Sequence, residues 1–165
     1  MVVFVEQVET DGFAARGAKK PLAGYPTTTG GDGMHVYIPV EPIYTYEETR
    51  TFAELIARLA TREKPDMFTT PRSVSKRQRY RVYFDWVQNA KSKTIAAPYV
   101  LRAHPGAPVA TPLEWSEVRH GLDPGHFTIA NAPARFAEKG DLFAGVLEKP
   151  QSLDKALVEL EKLFR

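Results

Sequence analysis

Asp85, Gln88 and Asn89 close the run Val82-Tyr-Phe-Asp-Trp-Val-Gln-Asn89. After a turn carrying Lys91 and Lys93, a second apolar run, Thr94-Ile-Ala-Ala-Pro-Tyr-Val-Leu-Arg102, ends on an arginine. A carboxylate set among β-branched and aromatic residues is at least partly desolvated and needs a cation beside it. Two arrangements answer that need. In one, Asp85 forms an ion pair with Arg81 or Arg102. In the other, Asp85 holds a divalent ion while Arg102 grips phosphate oxygens in a bidentate fork. Upstream, Tyr25-Pro-Thr-Thr-Thr-Gly-Gly-Asp-Gly-Met-His35-Val-Tyr-Ile-Pro-Val40 offers three threonine hydroxyls, glycines and an imidazole ahead of an apolar strand. Glycines let backbone N–H groups turn toward an anion, and Thr hydroxyls and a neutral His add donors. The stretch matches neither the Walker pattern nor the dinucleotide fingerprint, and taken alone it reads as a Gly-rich hairpin with a structural His.

The elements that must hold these groups follow from the pattern. Residues 80–87 have strand composition, with Val82, Phe84 and Trp86 alternating against Tyr83, Asp85 and Val87. Residues 34–40 and 94–101 read as further strands. Phe52, Leu55, Ile56 and Leu59 follow helical spacing, so 46–63 is an amphipathic helix that Lys64-Pro65 ends. The Pro-rich run to Pro112 is an extended strap. Thr111-Pro112-Leu113-Glu114 then reads as a capping box opening a short helix that Gly121 ends. Residues 122–145 show little periodicity, with Phe127, Ile129, Phe136, Leu142 and Phe143 pinning them to the core. Ser152 caps a final helix at 152–164 whose apolar face is Leu153, Ala156, Leu157, Leu160 and Phe164. The fold expected is α/β (α+β), a mixed sheet flanked by helices. Residues 24–165 form one domain after a poorly defined segment 1–23, in which Val2-Val-Phe-Val5 has strand composition and Gly17–Pro21 reads as loop or tail.

Net charge is only +2, from 22 Lys and Arg against 20 Asp and Glu, so overall charge does not mark a nucleic-acid binder. Its distribution is more telling: Arg72, Lys76, Arg77, Arg79 and Arg81 form a cluster without an acid just before the Asp85 strand. No apolar run approaches the roughly 18–20 residues needed to span a membrane, so a cytoplasmic chain is expected. Cysteine is absent, which excludes disulfides and thiolate metal sites, and His104, His120 and His126 lack the spacing of a zinc site.

Thr28–Val40, Tyr83–Arg102 and Pro105–Trp115, taken together and in this order, resemble the polymerase domain of bacterial DNA ligase D, of the archaeo-eukaryotic primase superfamily. The resemblance runs from about Gly24 to Leu163. It implies a DNA-directed nucleotidyltransferase that adds NTPs or dNTPs at DNA ends during non-homologous end joining, with Mn or Mg as cofactor. It implies a bacterial or archaeal, nucleoid-associated setting, with DNA ends, a ligase domain or chain, and Ku as partners. By the same resemblance Asp85 is a metal-binding catalytic aspartate, Thr29 and His35 contact nucleotide phosphates, Gln88 lies near the incoming nucleotide, and Arg102 binds the triphosphate. One of Lys76, Arg77 or Arg79, with Arg77 preferred, contacts DNA or phosphate. Asp32 stands where many members carry a base. The family's strand ending in Asp-x-Asp has no counterpart: Val5-Glu-Gln7 stands there, and only Glu6, Glu9 or Asp11 offer substitutes. Two further expectations follow, namely an inactive relative that binds nucleotide or DNA phosphates, or half of a split polymerase completed by a separate chain.

Overall fold

The computed structural model describes the backbone of residues 2–6, together with residues 22–77, 80–119 and 121–164. Five strands form one sheet in the order β2-β3-β1-β5-β4, where β1 is Val2–Glu6, β2 Tyr25–Thr28, β3 Gly33–Tyr37, β4 Phe68–Thr69 and β5 Val82–Asp85. All pairs are antiparallel except β4 with β5, so the sheet is mixed, as expected. The short N-terminal strand sits at its centre, between β3 and β5. Residues 7–21, including the expected loop at Gly17–Pro21 and the carboxylates Glu9 and Asp11, lie outside the described residues, as do Arg79, His120 and the side chains of Glu6 and Phe164.

The alternation expected in β5 sets the two faces. Val82 and Phe84 join Met34, Val36, Leu113 and Phe127 in the main core, with Trp86 packed against them. Helix α1, Tyr46–Glu63, covers that face with Ala53 and Ala57, both fully buried. Its start is fixed by a capping box: the Thr45 hydroxyl accepts from the Glu48 amide at 3.2 Å, and the Glu48 carboxylate accepts from the Thr45 amide at 2.7 Å. The expected stripe is displaced by part of a turn. The small residues Ala53 and Ala57 let the helix approach the sheet, while Leu55, Ile56 and Leu59 flank a second cluster of Phe52, Leu153 and Leu160 shared with α4, Asp154–Phe164. The α4 start is shifted too: the Ser152 hydroxyl accepts from the Asp154 amide at 3.2 Å, and the helix begins two residues beyond it.

Three expectations fail for identifiable reasons. Residues 94–101 are not a sheet strand. Pro98 lacks an amide donor and Tyr99 takes φ +66°, which breaks the extended run, so its backbone bonds instead to the strap: Tyr99 N donates to Ala110 O at 2.7 Å and Arg102 N to Pro108 O at 2.8 Å. Thr111 does not cap a helix. Its amide donates to the Thr28 hydroxyl at 2.9 Å and its own hydroxyl to Val109 O, leaving only a 3-10 turn at Trp115–Glu117, capped by Glu114 and Glu117. Residues 122–145 are more regular than their composition indicates and contain α2, Ala132–Lys139, and the start of α3, Ala144–Glu148. A bidentate ion pair from Arg135 to Glu117, 2.6 and 2.7 Å, ties α2 to the 3-10 turn. Ile129, expected to pin this segment, is exposed.

Candidate nucleotide-phosphate site

The sheet face opposite α1 carries the polar groups. Phe4 is the register partner of both His35 on β3 and Asp85 on β5, and Thr27 on β2 is the partner of His35. Directly opposed residues of antiparallel strands share a face. Thr27, His35 and Asp85 therefore stand in one row across the sheet, with His35 and Asp85 two strands, roughly 10 Å, apart. The Thr27 hydroxyl is fully buried and has no hydrogen-bond partner among the described residues.

Thr29 organises the loop between β2 and β3. Its hydroxyl oxygen accepts from the amides of Gly31 (3.1 Å) and Gly33 (3.3 Å), and its own amide donates to Gly33 O at 2.9 Å. These two glycine amides thus close the loop on itself instead of pointing outward. Gly30 is buried, at φ +66°, where L side chains are disfavoured. A Cβ there would lie 2.6 Å from Cγ of Arg102 and 3.2 Å from the Ala110 amide nitrogen. The loop and the arginine, 72 positions apart in sequence, are therefore in close contact.

His35 is 4% exposed. Burial, and secondarily the charge of Arg102, push its pKa down to about 4, so the imidazole is neutral at physiological pH. Its Nδ1 lies 3.5 Å from the hydroxyl of Tyr37. Among the described residues neither Arg102 nor Asp85 belongs to an ion pair; Arg81 pairs with Asp66 at 3.7 Å. The ion-pair alternative for Asp85 is thereby ruled out for Arg81 and Arg102. One Asp85 oxygen accepts from the Val87 amide at 3.0 Å.

The other expected residues are more dispersed. Gln88 lines a separate cleft of about 320 Å³ between the start of α1 and the 88–95 turn, with Tyr44, Tyr46, Lys93 and Ile95. Arg77 is built into its own loop: Nε and Nη2 donate to the carbonyls of Pro71 and Arg72, each at 3.2 Å, and the guanidinium lies 3.4 Å over the Tyr83 ring. Lys76 and Arg72 are exposed beside it. The sequence reading missed Tyr37, although a period of two from His35 puts it on the same face. The role of Gly30 against Arg102 had no sequence signal beyond the glycine itself.

Residues 15–143 match the family model described as LigD, primase-polymerase domain. The chain belongs to that family. It is 39% identical over 144 residues to the bifunctional non-homologous end joining protein LigD of Bacillus subtilis, covering 86% of this chain and 23% of that protein. It is 33% identical over 125 residues to the multifunctional LigD of Mycolicibacterium smegmatis, covering 74% of this chain and 16% of that one. Among solved structures it resembles the polymerase domain from Mycobacterium tuberculosis ligase D in complex with DNA, at a TM-score of 0.74 and 28% identity, over 91% of this chain and 55% of the other. The chain thus spans under a quarter of these two LigD proteins and about half of the solved polymerase domain. The primase-polymerase assignment accounts for the mixed sheet flanked by helices.

The described residues do not by themselves fit a two-ion centre. Such a centre needs several carboxylates converging on ions roughly 3.5–4 Å apart. Among the described residues no three His, Cys, Asp or Glu side chains are grouped to hold a metal ion, and the chain contains no Asp-x-Asp. Among the described residues, no helix is long and apolar enough to cross a membrane.

Proposed function

We propose that this chain supplies the triphosphate-binding side of a nucleotidyl-transfer site that acts on DNA ends in non-homologous end joining. The contact between the Gly30 loop and Arg102, with neutral His35 beside it, is the observation that supports this reading. The guanidinium would clamp phosphate oxygens, the imidazole would donate one hydrogen bond, and the Thr29 hydroxyl, whose oxygen accepts from the loop amides, keeps its proton for another. Asp85, in the same row as His35, is the carboxylate available to a divalent ion, Mn or Mg, which would neutralise phosphate charge. DNA ends are the proposed partner, with Lys76 and its basic neighbours on the backbone. A ligase module and Ku complete the proposed repair assembly.

A second reading is favoured by the single carboxylate in that row. The chain binds NTP or dNTP phosphates without unaided chemistry, alone or as one half of a split polymerase. Manganese-dependent extension of a gapped, 5′-phosphorylated DNA primer separates the two. Extension by the purified chain that disappears in Asp85→Ala supports transfer. No extension, with ATP binding that Arg102→Ala abolishes, supports the binding-only reading. ATP binding that is unchanged in Arg102→Ala overturns both.

A further inference from the structure

Tyr80 is 87% exposed, so its ring buries almost nothing. Its backbone sits at φ +74°, a region that a bulky L residue rarely adopts. Glycine or asparagine would make the same turn with less strain. Among the described residues no hydrogen bond, ion pair or ring contact holds the side chain. Neither packing nor local conformation therefore accounts for a tyrosine at this position.

The chain around the ring is basic and anchored on both sides. Arg72 and Lys76 are exposed on the loop that precedes it. That loop is braced by Arg77, whose Nε and Nη2 donate to the carbonyls of Pro71 and Arg72 and whose guanidinium lies over Tyr83 of β5. On the other side, Arg81 pairs with Asp66 at 3.7 Å, and the Val82 amide donates to Met67 O at 2.8 Å as the chain enters β5. Asp66, the acid nearest to this segment in the described sequence, is thus engaged by Arg81 rather than by Arg72 or Lys76. Tyr80 lies five residues before Asp85 on this chain, so their Cα atoms are at most about 18 Å apart.

Exposed cations hold the phosphates of a nucleic-acid strand, and an exposed aromatic ring gives an unpaired base a face to stack on. The bases of a duplex are already stacked on one another and offer no such face. A double strand would use the cations and leave the ring idle, whereas a single strand uses both. We propose that Tyr80 is a base-stacking residue for single-stranded DNA, taking an unpaired base of a DNA overhang while Arg72 and Lys76 hold the flanking phosphates. The proposal deepens the DNA-end reading and rests on it for the partner, but the preference for an unpaired base stands on the exposure and conformation of Tyr80.

The test is fluorescence anisotropy with a labelled oligothymidylate of about 12 nucleotides and with an abasic strand of the same length, which keeps the phosphates and lacks the bases. Wild type should bind the thymidylate about tenfold more tightly than the abasic strand, the contribution of one stacked base. Tyr80→Asn, which tolerates the left-handed backbone, should bind both strands equally at an unchanged or raised melting temperature, and Tyr80→Phe should keep the preference. Lys76→Ala should weaken both strands alike. Equal affinity of wild type for the two strands overturns the proposal, as do binding of neither strand and a preference that survives in Tyr80→Asn. A lowered melting temperature in Tyr80→Asn would assign the ring to the fold and overturns it too. If Lys76→Ala binds both strands like wild type while the preference persists and depends on Tyr80, the backbone role of the loop falls and the stacking role stands.

Discussion

Arg102 packs its aliphatic stem on Gly30, where a Cβ would come within 2.6 Å of the arginine Cγ. The glycine is required twice over, by that approach and by its φ of +66°. Gly30→Ala should therefore destabilise the chain by about 1–2 kcal/mol, from backbone strain and displacement of the arginine. It should weaken triphosphate binding more than that loss of stability accounts for. Denaturant unfolding and calorimetry on the same preparation check both. Wild-type affinity in a folded Gly30→Ala chain would separate the arginine from the ligand.

Stability should fall on mild acidification. The pKa of His35 is lowered in the fold, from 6.5 to about 4, so below pH 6.5 the unfolded chain takes up a proton that the folded chain refuses. The contribution of the neutral ring is complete above pH 6.5 and is lost as pH falls toward 4. The full span is on the order of 3 kcal/mol. Melting temperature recorded against pH should show this slope, and His35→Gln should flatten it. An identical slope in the variant would place the titrating group elsewhere.

The basic loop should divide into a phosphate contact and a brace. Lys76 is exposed, whereas Arg77 is tied to the carbonyls of Pro71 and Arg72 and stacked on Tyr83. Lys76→Ala should make the slope of log affinity for DNA against log salt shallower by about 0.7–0.9 and leave the melting temperature alone. Arg77→Ala should lower both affinity and melting temperature. A wild-type affinity independent of salt would exclude a role for this loop on the DNA backbone.

The clamp between α1 and α4 should be the most sensitive structural point. Leu153 is fully buried against Phe52 and Leu160. Truncation to Ala leaves a cavity between two helices and should cost about 2–5 kcal/mol. Val158→Ala, at an exposed position of α4, should cost under about 1 kcal/mol by the same denaturant measurement. Equal losses at the two sites would mean that α4 does not dock on α1.

Local rules determined much of this protein. The capping box at Thr45 and Glu48 and the period of the following residues define α1, because capping and amphipathicity are decided within a few turns of chain. The alternation through Val82–Asp85 fixes which of its residues face the core, because the pleat has a period of two. The order Thr28–Val40, Tyr83–Arg102, Pro105–Trp115 was enough to place the chain in its family. Other features depended on partners distant in sequence. Whether 94–101 joins the sheet turns on where Tyr99 finds an acceptor, and that acceptor is Ala110 in the strap. Whether Thr111 caps a helix turns on Thr28, 83 residues away. The row of Thr27, His35 and Asp85 exists because β1 inserts between β3 and β5, and a strand's choice of neighbours leaves no trace in its own residues. The contact of Arg102 with Gly30 and the reach of Tyr37 to both His35 and Ala96 are likewise tertiary. They arise only when the strap pairs along the edge strand β2, Thr28 N donating to Thr111 O and Leu113 N to Pro26 O, each at 2.9 Å, which brings donors and acceptors from separate stretches within hydrogen-bonding distance.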